Sequence, residues 1–551
     1  RNCSGPRRLE PARHATRMAA DSASGTEVLG EPRNILFVMA DQLRFDFLGC
    51  TGHPWMRTPT IDALAARGVR FANTYVQGAV CGPSRMSFYT GRYVLSHGAS
   101  YNNYPLRPDE WTLGDYLNPL GLRTALAGKT HMKADETGIR RLGLDPAQGP
   151  GRFLAECGFE PWDRDDGLQK LAPFVPDTQY ESWLRARGYE GVNLWHEAAN
   201  SVRRDDGGDP SGWLMRNARF PTVAAEEDSE TAYMTRRAMD FIDDAGERPW
   251  CLHLSYIKPH WPYVAPDPYH RKYGREHVLP GNRSQGEGET HPVVAAFRDH
   301  PESIEFRRDE CRDTVIPAYM GLIEQIDDHL ARLIDFLDDR GRLEDTVIIV
   351  TSDHGDYLGD HGLGEKELYF EEALRIPLIV VDPSPAAEAS RGRVVEAMAE
   401  AIDLIPTLVE LIGGAPAWHR LEGRSLLPFI RGDGAAGWRD AVFAGHDYSL
   451  RHARPALGLE PREAKSWMVR TERWKYVRHP RFRPELYDLE NDPAEQIDLG
   501  GDPGHEDVRS DMQHRLLDWM QARLNRVGIT DEAIRQSTGK AWERGYLFGK
   551  W

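Results

Sequence analysis

Two apolar runs that each stop on a carboxylate constrain this chain most. Asn34-Ile35-Leu36-Phe37-Val38-Met39-Ala40 ends at Asp41-Gln42, and Thr346-Val347-Ile348-Ile349-Val350 leads into Thr351-Ser352-Asp353-His354-Gly355. An unbroken apolar run of strand length marks a strand buried on both faces, as in mainly parallel sheets covered by helices. Further runs, around Cys251–Tyr256 and over Ile376–Val381, extend the same sheet. Thr58–Gly68 reads as a helix closed by its glycine, and Tyr319, Ile323, Ile326, Leu330, Leu333 and Leu337 form a helical core stripe that carries no chemistry. The predicted fold class is therefore α/β, a doubly wound, mainly parallel sheet flanked by helices. Such sheets bind ligands beyond the carboxyl ends of their strands. Asp41 and the pair Asp353-His354 can thus converge on one edge and hold a divalent cation, although each alone also reads as a cap or turn residue.

A chain of 551 residues exceeds one compact core, so a large domain and a smaller one are expected. Lys and Arg number 68 against 85 Asp and Glu, a formal charge of −17 that argues against a nucleic-acid surface. Basic groups that act on an anion must then be gathered in one pocket. The six cysteines lack a disulfide-like rhythm, and no apolar run reaches the length of a membrane span. A cytoplasmic enzyme without a membrane or nucleic-acid partner is expected.

Residues 1–32 are set apart as a disordered or non-native extension, with Met18 as a possible native start. Residues 33–440 are assigned to a catalytic domain. Within it, the stretch from about 134 to 235, rich in Gly, Pro, Trp and charge, interrupts the α/β rhythm. Residues 441–528 read as a small α+β domain, with a hairpin over Ser466–Val477 and a final helix. Residues 529–551 form a tail whose Trp542, Tyr546, Leu547, Phe548 and Trp551 need cover, which points to the interface of a homodimer or homotetramer.

The chemistry centres on Cys81-Gly82-Pro83-Ser84-Arg85, followed by Thr90-Gly91-Arg92. Proline suits the first turn of a helix, where its missing N–H is not needed. Free N–H groups and the positive end of the helix dipole then face an anion beside residue 81. Arg85 adds a planar fork of donors one turn on. Taken alone, Cys81 could be a buried structural cysteine, a thiolate nucleophile or a metal thiolate. No C-x-x-C is present to support the last reading.

The C-x-P-S-R core with its trailing T-G-R resembles the sequence by which sulfatases, members of the alkaline phosphatase superfamily, have a cysteine oxidised to formylglycine. The resemblance runs from Asn34 to about Leu499 and implies a set of site residues. Asp41, Gln42, Asp353, His354 and the modified Cys81 would hold one divalent metal ion. Gly128-Lys129-Thr130-His131 is similar to the second sulfatase motif, whose Lys129 and His131 contact sulfate. Lys258-Pro259-His260-Trp261-Pro262 looks like the element whose His260 faces the leaving group, and Lys366 matches the later anion-binding lysine. Asn102 is placed with Lys129, His260 and Lys366 as substrate-binding.

Two positions depart from the usual sulfatase pattern: Gln42 replaces an aspartate and His354 an asparagine. Both favour Mn²⁺ or another transition ion over Ca²⁺, and both resemble the phosphonate monoester hydrolase branch. The resemblance implies hydrolysis of a small anionic ester, an arylsulfatase reaction above all. Hydrated formylglycine would attack with the help of Asp353, and Arg85, Lys129 and Lys366 would neutralise the sulfate oxygens. His260 would protonate the leaving group, and His131 would help to expel sulfate and regenerate the aldehyde. A formylglycine-generating system is the implied partner. A phosphonate monoester or phosphodiester hydrolase is one alternative. An inactive anion-binding relative with unmodified Cys81 is another.

Overall fold

The computed structural model describes residues 32–167, 178–283, 290–432, 434–540 and 543–546. The extension over residues 1–31, Cys3 within it, and Trp542, Leu547, Phe548 and Trp551 of the tail lie outside them.

The first apolar run is strand β1 (Asn34–Asp41), and every one of its residues is buried. Its alternate side chains serve two cores. Ile35, Phe37 and Met39 pack into one cluster, and Leu36, Val38 and Ala40 into the cluster on the opposite face. That double burial explains the absence of polar alternation.

The other strands of this sheet are β2 (Val69–Tyr75), β3 (Arg123–Gly128), β4 (Glu160–Arg164), β5 (Trp250–Pro259), β6 (Thr346–Ser352), β7 (Arg375–Val381), β8 (Arg393–Val395) and β9 (Ala399–Glu400). Their order is β4-β3-β5-β1-β6-β7-β2-β8, with β9 also paired to β2. β1 runs parallel to both neighbours, so that Ala40 lies opposite Tyr256 of β5 and Ser352 of β6. Gly128 of β3 lies opposite Ser255. Four strands therefore end at one edge, where Asp41 closes β1 and Lys129, His260 and Asp353 follow their strands.

β7 is antiparallel to both β6 and β2. Its apolar run marks burial but carries no direction, which pairing alone decides. β2 consequently points the same way as β6 and delivers Cys81 to the same edge. The stretch that interrupts the α/β rhythm contributes the edge strand β4, parallel to β3. Its sequence, Glu160-Pro161-Trp162-Asp163-Arg164, is polar because an edge strand is only partly covered.

Helix α1 (Pro59–Arg67) ends at Gly68 as expected, for a different reason. Gly68 is extended, with φ −124° and ψ −152°, and is no left-handed cap. A Cβ there would lie 2.3 Å from the Val380 carbonyl oxygen of β7, so close approach of backbone is what requires glycine. The 31-residue helix α2 (Asp309–Asp339) buries the predicted stripe. One member of that stripe does more than pack: the Tyr319 hydroxyl donates to the Gln42 carbonyl at 2.7 Å and accepts from the Arg44 N–H at 2.9 Å.

Strands β10 (Ala441–Asp447), β11 (Lys465–Thr471), β12 (Trp474–Arg478) and β13 (Glu485–Asp488) form a separate antiparallel sheet. Helix α3 (Glu506–Gln521) packs Met512, Leu516 and Trp519 onto it, against Val469, Tyr476 and Leu486. In the tail, helix Asp531–Ser537 buries none of its residues, and Tyr546 is 68% exposed. No helix among the described residues is long and apolar enough to cross a membrane. The described cysteines, Cys50, Cys81, Cys157, Cys251 and Cys311, are free thiols.

Candidate active site

Cys81 opens a ten-residue helix, Cys81–Thr90, in which every residue is buried. Val80, in extended conformation, precedes it, and the Ser84 N–H reaches back to the Val80 carbonyl at 3.0 Å. The Gly82 N–H donates to Asn102 Oδ1 at 2.7 Å, and a Cβ on Gly82 would sit 2.8 Å from that oxygen. Asn102 thus spends its side-chain oxygen on the start of the helix. Gly91, with φ 66°, closes the helix in the left-handed region.

Arg85 departs from the expectation that it faces substrate oxygens. Its Nε donates to Asp353 Oδ2 at 2.8 Å and its NH2 to Asp41 Oδ2 at 3.2 Å. Its NH1 donates to the Lys129 carbonyl at 2.8 Å and to Ser255 Oγ at 2.7 Å. With the residue fully buried, this fork ties four chain segments together and leaves little for a ligand.

Around Cys81 Sγ lie His354 Nε2 at 3.2 Å, Lys129 Nζ at 3.8 Å and Asp41 Oδ1 at 3.9 Å. His354 Nδ1 donates to the Gly355 carbonyl at 2.9 Å, which turns Nε2 toward the group. One donor atom each from Asp41, Cys81, Asp353 and His354 lies within 4.8 Å of the others. Two carboxylates and an imidazole, all buried, form a donor set that fits a divalent cation.

Gln42, the fifth residue implied as a ligand, has its backbone N–H on Asp353 Oδ1 at 3.0 Å. Its side-chain oxygen accepts from Lys366 Nζ at 2.9 Å. Lys366 Nζ also donates to His260 Nε2 at 2.9 Å, while His260 Nδ1 donates to the Trp261 carbonyl at 2.7 Å. The His131 N–H is held by Asp166 Oδ1 at 2.8 Å, and its buried Nδ1 has no hydrogen-bond partner.

The electrostatics follow from burial amid many cations. Burial pushes the Cys81 thiol up, but Lys129, Lys366 and His354 together hold it well below its ordinary value. Burial and Cys81 raise Asp41, yet Lys129, His260 and Arg85 leave it lowered. Burial and the Lys366 ammonium press His260 down to about 3, so its Nε2 is an acceptor at neutral pH. Lys366 is raised despite burial by Cys81, Glu365 and Asp41. The pocket is built to hold negative charge.

The structure brings together Asp41, Gln42, Cys81, Arg85, Lys129, Asp353, His354, His260 and Lys366, and a hydrogen bond from the His131 side chain to Cys81 places His131 with them. Sequence reasoning missed Ser255, Asp166, Tyr263 and Asp356. Ser255 and Tyr263 look like ordinary strand and loop residues, and Asp166 sits in a charged stretch without pattern. Asp356 alone carried a signal, two residues beyond His354 in the same strand-end turn.

A family profile described as Sulfatase matches residues 33–415, and one described as N-sulphoglucosamine sulphohydrolase, C-terminal, matches residues 359–522. The multifunctional alkaline phosphatase superfamily protein PehA of Trinickia caryophylli is 31% identical, covering 90% of this chain and 96% of its own. An arylsulfatase of Clostridium perfringens is 26% identical over 94% and 96% of the two chains. Among solved structures, the phosphonate monoester hydrolase SpPMH of Silicibacter pomeroyi superposes with a TM-score of 0.78 at 28% identity, covering 91% of this chain and 98% of its own.

Proposed function

Because the chain belongs to the sulfatase family of alkaline phosphatase superfamily hydrolases, we propose that it hydrolyses sulfate monoesters, aryl esters above all, with residue 81 as nucleophile. The observation that carries this reading is the setting of Cys81. It lies at a helix start, 3.2 Å from His354 Nε2 and 3.8 Å from Lys129 Nζ.

Asp41, Asp353, His354 and residue 81, with Gln42 beside them, would hold a divalent ion that supplies Lewis-acid neutralisation of substrate oxygens. Formylglycine at residue 81 would supply a hydroxyl nucleophile from its hydrated aldehyde. The chain's own residues do the rest. Lys129 and Lys366 present ammonium groups to the anion. His260 Nε2 accepts from Lys366 Nζ, and this pair supplies the leaving oxygen with the proton that the ammonium carries. His131, with its unpartnered Nδ1, takes a proton at residue 81. Arg85 holds the two carboxylates in place. The exposed Asp531–Ser537 helix supports a homo-oligomer with the tail at an interface, which light scattering of a chain ending at residue 529 checks.

A second reading, hydrolysis of phosphonate monoesters or phosphodiesters, is favoured by Gln42 and His354 and by the likeness to SpPMH. Rates on 4-nitrophenyl sulfate, a phenylphosphonate monoester and bis(4-nitrophenyl) phosphate separate the two. A higher kcat/KM on the phosphorus esters would replace the first reading by the second. Peptide mass spectrometry at Cys81 accompanies this, since formylglycine lowers the residue mass by roughly 18 Da. An unmodified cysteine in an inactive protein would leave an anion-binding relative.

A further inference from the structure

Asp356 is fully buried and belongs to neither the metal donor set nor the anion pocket. Its Oδ1 accepts from the Leu358 N–H at 2.9 Å. Its Oδ2 accepts from the Tyr263 hydroxyl at 2.6 Å and from Gln42 Nε2 at 2.5 Å. A carboxylate only accepts, so the Gln42 side chain must turn its NH₂ toward Asp356 and its oxygen the other way. That oxygen then meets Lys366 Nζ, and Lys366 in turn meets His260 Nε2, each at 2.9 Å. The His260 ring is pinned on its far side by the Trp261 carbonyl.

We propose that Asp356 is a positioning residue: it sets the direction of the Gln42 amide and thereby the placement of Lys366 and His260 over residue 81. Only the role of His260 at the leaving group rests on the functional reading above; the chain of contacts from Asp356 to His260 does not depend on it. If the carboxylate is lost, the constraint inverts. In Asp356→Asn the new amide can donate to the Gln42 oxygen, the Gln42 side chain flips, and its NH₂ faces the Lys366 ammonium, donor against donor. The two groups separate and His260 loses its hydrogen-bonded partner.

The test compares wild type, Asp356→Asn and Tyr263→Phe on a series of esters running from activated phenols to alkyl alcohols. Crystal structures of wild type and Asp356→Asn accompany it. The expected result is a loss of about 10- to 100-fold in kcat for alkyl esters with Asp356→Asn, the usual scale for removing an orienting partner. The loss for activated aryl esters is smaller, and bound metal is unchanged. Tyr263→Phe, which keeps the carboxylate but removes one of its donors, shifts the series in the same direction by less. It also serves should Asp356→Asn fail to fold.

An equal loss across all leaving groups would assign Asp356 to structure alone and overturn the proposal. So would wild-type rates in both variants, or a Lys366–Gln42 oxygen contact that persists in crystals of Asp356→Asn. A wild-type protein inactive on every ester would instead count against the functional reading, while the crystal structures still decide the positioning claim.

Discussion

Lys129 Nζ lies 2.5 Å from Asp41 Oδ2, and both side chains are fully buried. The lysine expected to face an anion thus also neutralises the carboxylate that would hold the metal, and stays 3.8 Å from Cys81 Sγ. A buried ion pair of this kind is costly to break from one side, because the remaining charge is left without a partner. Under the proposed function, this one contact would couple anion binding and metal binding to residue 81.

Replacement of Cys81 by alanine is expected to lower turnover by more than roughly a thousandfold, as loss of a nucleophile does, with the fold retained. Helix Cys81–Thr90 keeps its Gly82–Asn102 and Ser84–Val80 bonds in the variant. Initial rates together with thermal melting check this, and substantial residual turnover would remove residue 81 from the nucleophile role.

His260→Ala should slow esters of poor leaving groups far more than those of activated phenols, by on the order of 10²–10⁴-fold at the alkyl end. His260 Nε2 accepts from Lys366 Nζ at 2.9 Å, so the ammonium holds the proton that this pair supplies. A flat response across leaving groups would show that His260 has another task.

Metal removal should inactivate the enzyme, and elemental analysis should find one divalent ion per chain, lost in Asp353→Asn. Arg85 and the Gln42 N–H both bind the Asp353 carboxylate, so the variant also loosens the strand-end turn. Two zinc ions per chain would redirect the reading toward phosphomonoester hydrolysis.

Gly128→Ala tests how the strand edge sets Lys129. Gly128 has φ 110°, and a Cβ there would lie 2.0 Å from the Ser255 carbonyl oxygen. The expected cost is about 1–3 kcal/mol of stability, with a loss of activity because Lys129 follows directly. Urea unfolding and kcat/KM measure the two effects.

Glu230 provides a pH dependence. Burial raises its carboxyl from the ordinary 4.5 to about 7, against the lowering pull of the Ile257 N–H and Lys258. A folded-state value above the unfolded one means that the contribution to stability is full below pH 4.5 and is lost as pH rises through about 7. Glu230→Gln should therefore match wild type at pH 4.5 and exceed it at pH 8, by on the order of 3 kcal/mol. Denaturant unfolding at the two pH values checks this, and a difference of the opposite sign would refute it.

Local composition determined the sheet strands, because burial on both faces makes the middles of β1 and β6 continuous apolar runs wherever the chain goes. It also determined the helix start at Cys81, the placement of Asp41 at the end of its strand and that of Asp353 and His354 just past theirs. Those features depend on neighbouring residues alone. Composition could not set the direction of β7, since an apolar run pairs equally well either way. Nor could it show that Gly68 answers to the Val380 carbonyl. The partners of the site were hidden for the same reason. Arg85 meets Asp353 across 268 residues and Gln42 meets Asp356 across 314. Hydrophobic patterning is a property of a segment, whereas a hydrogen bond needs two atoms brought within about 3 Å, and only the folded sheet edge does that.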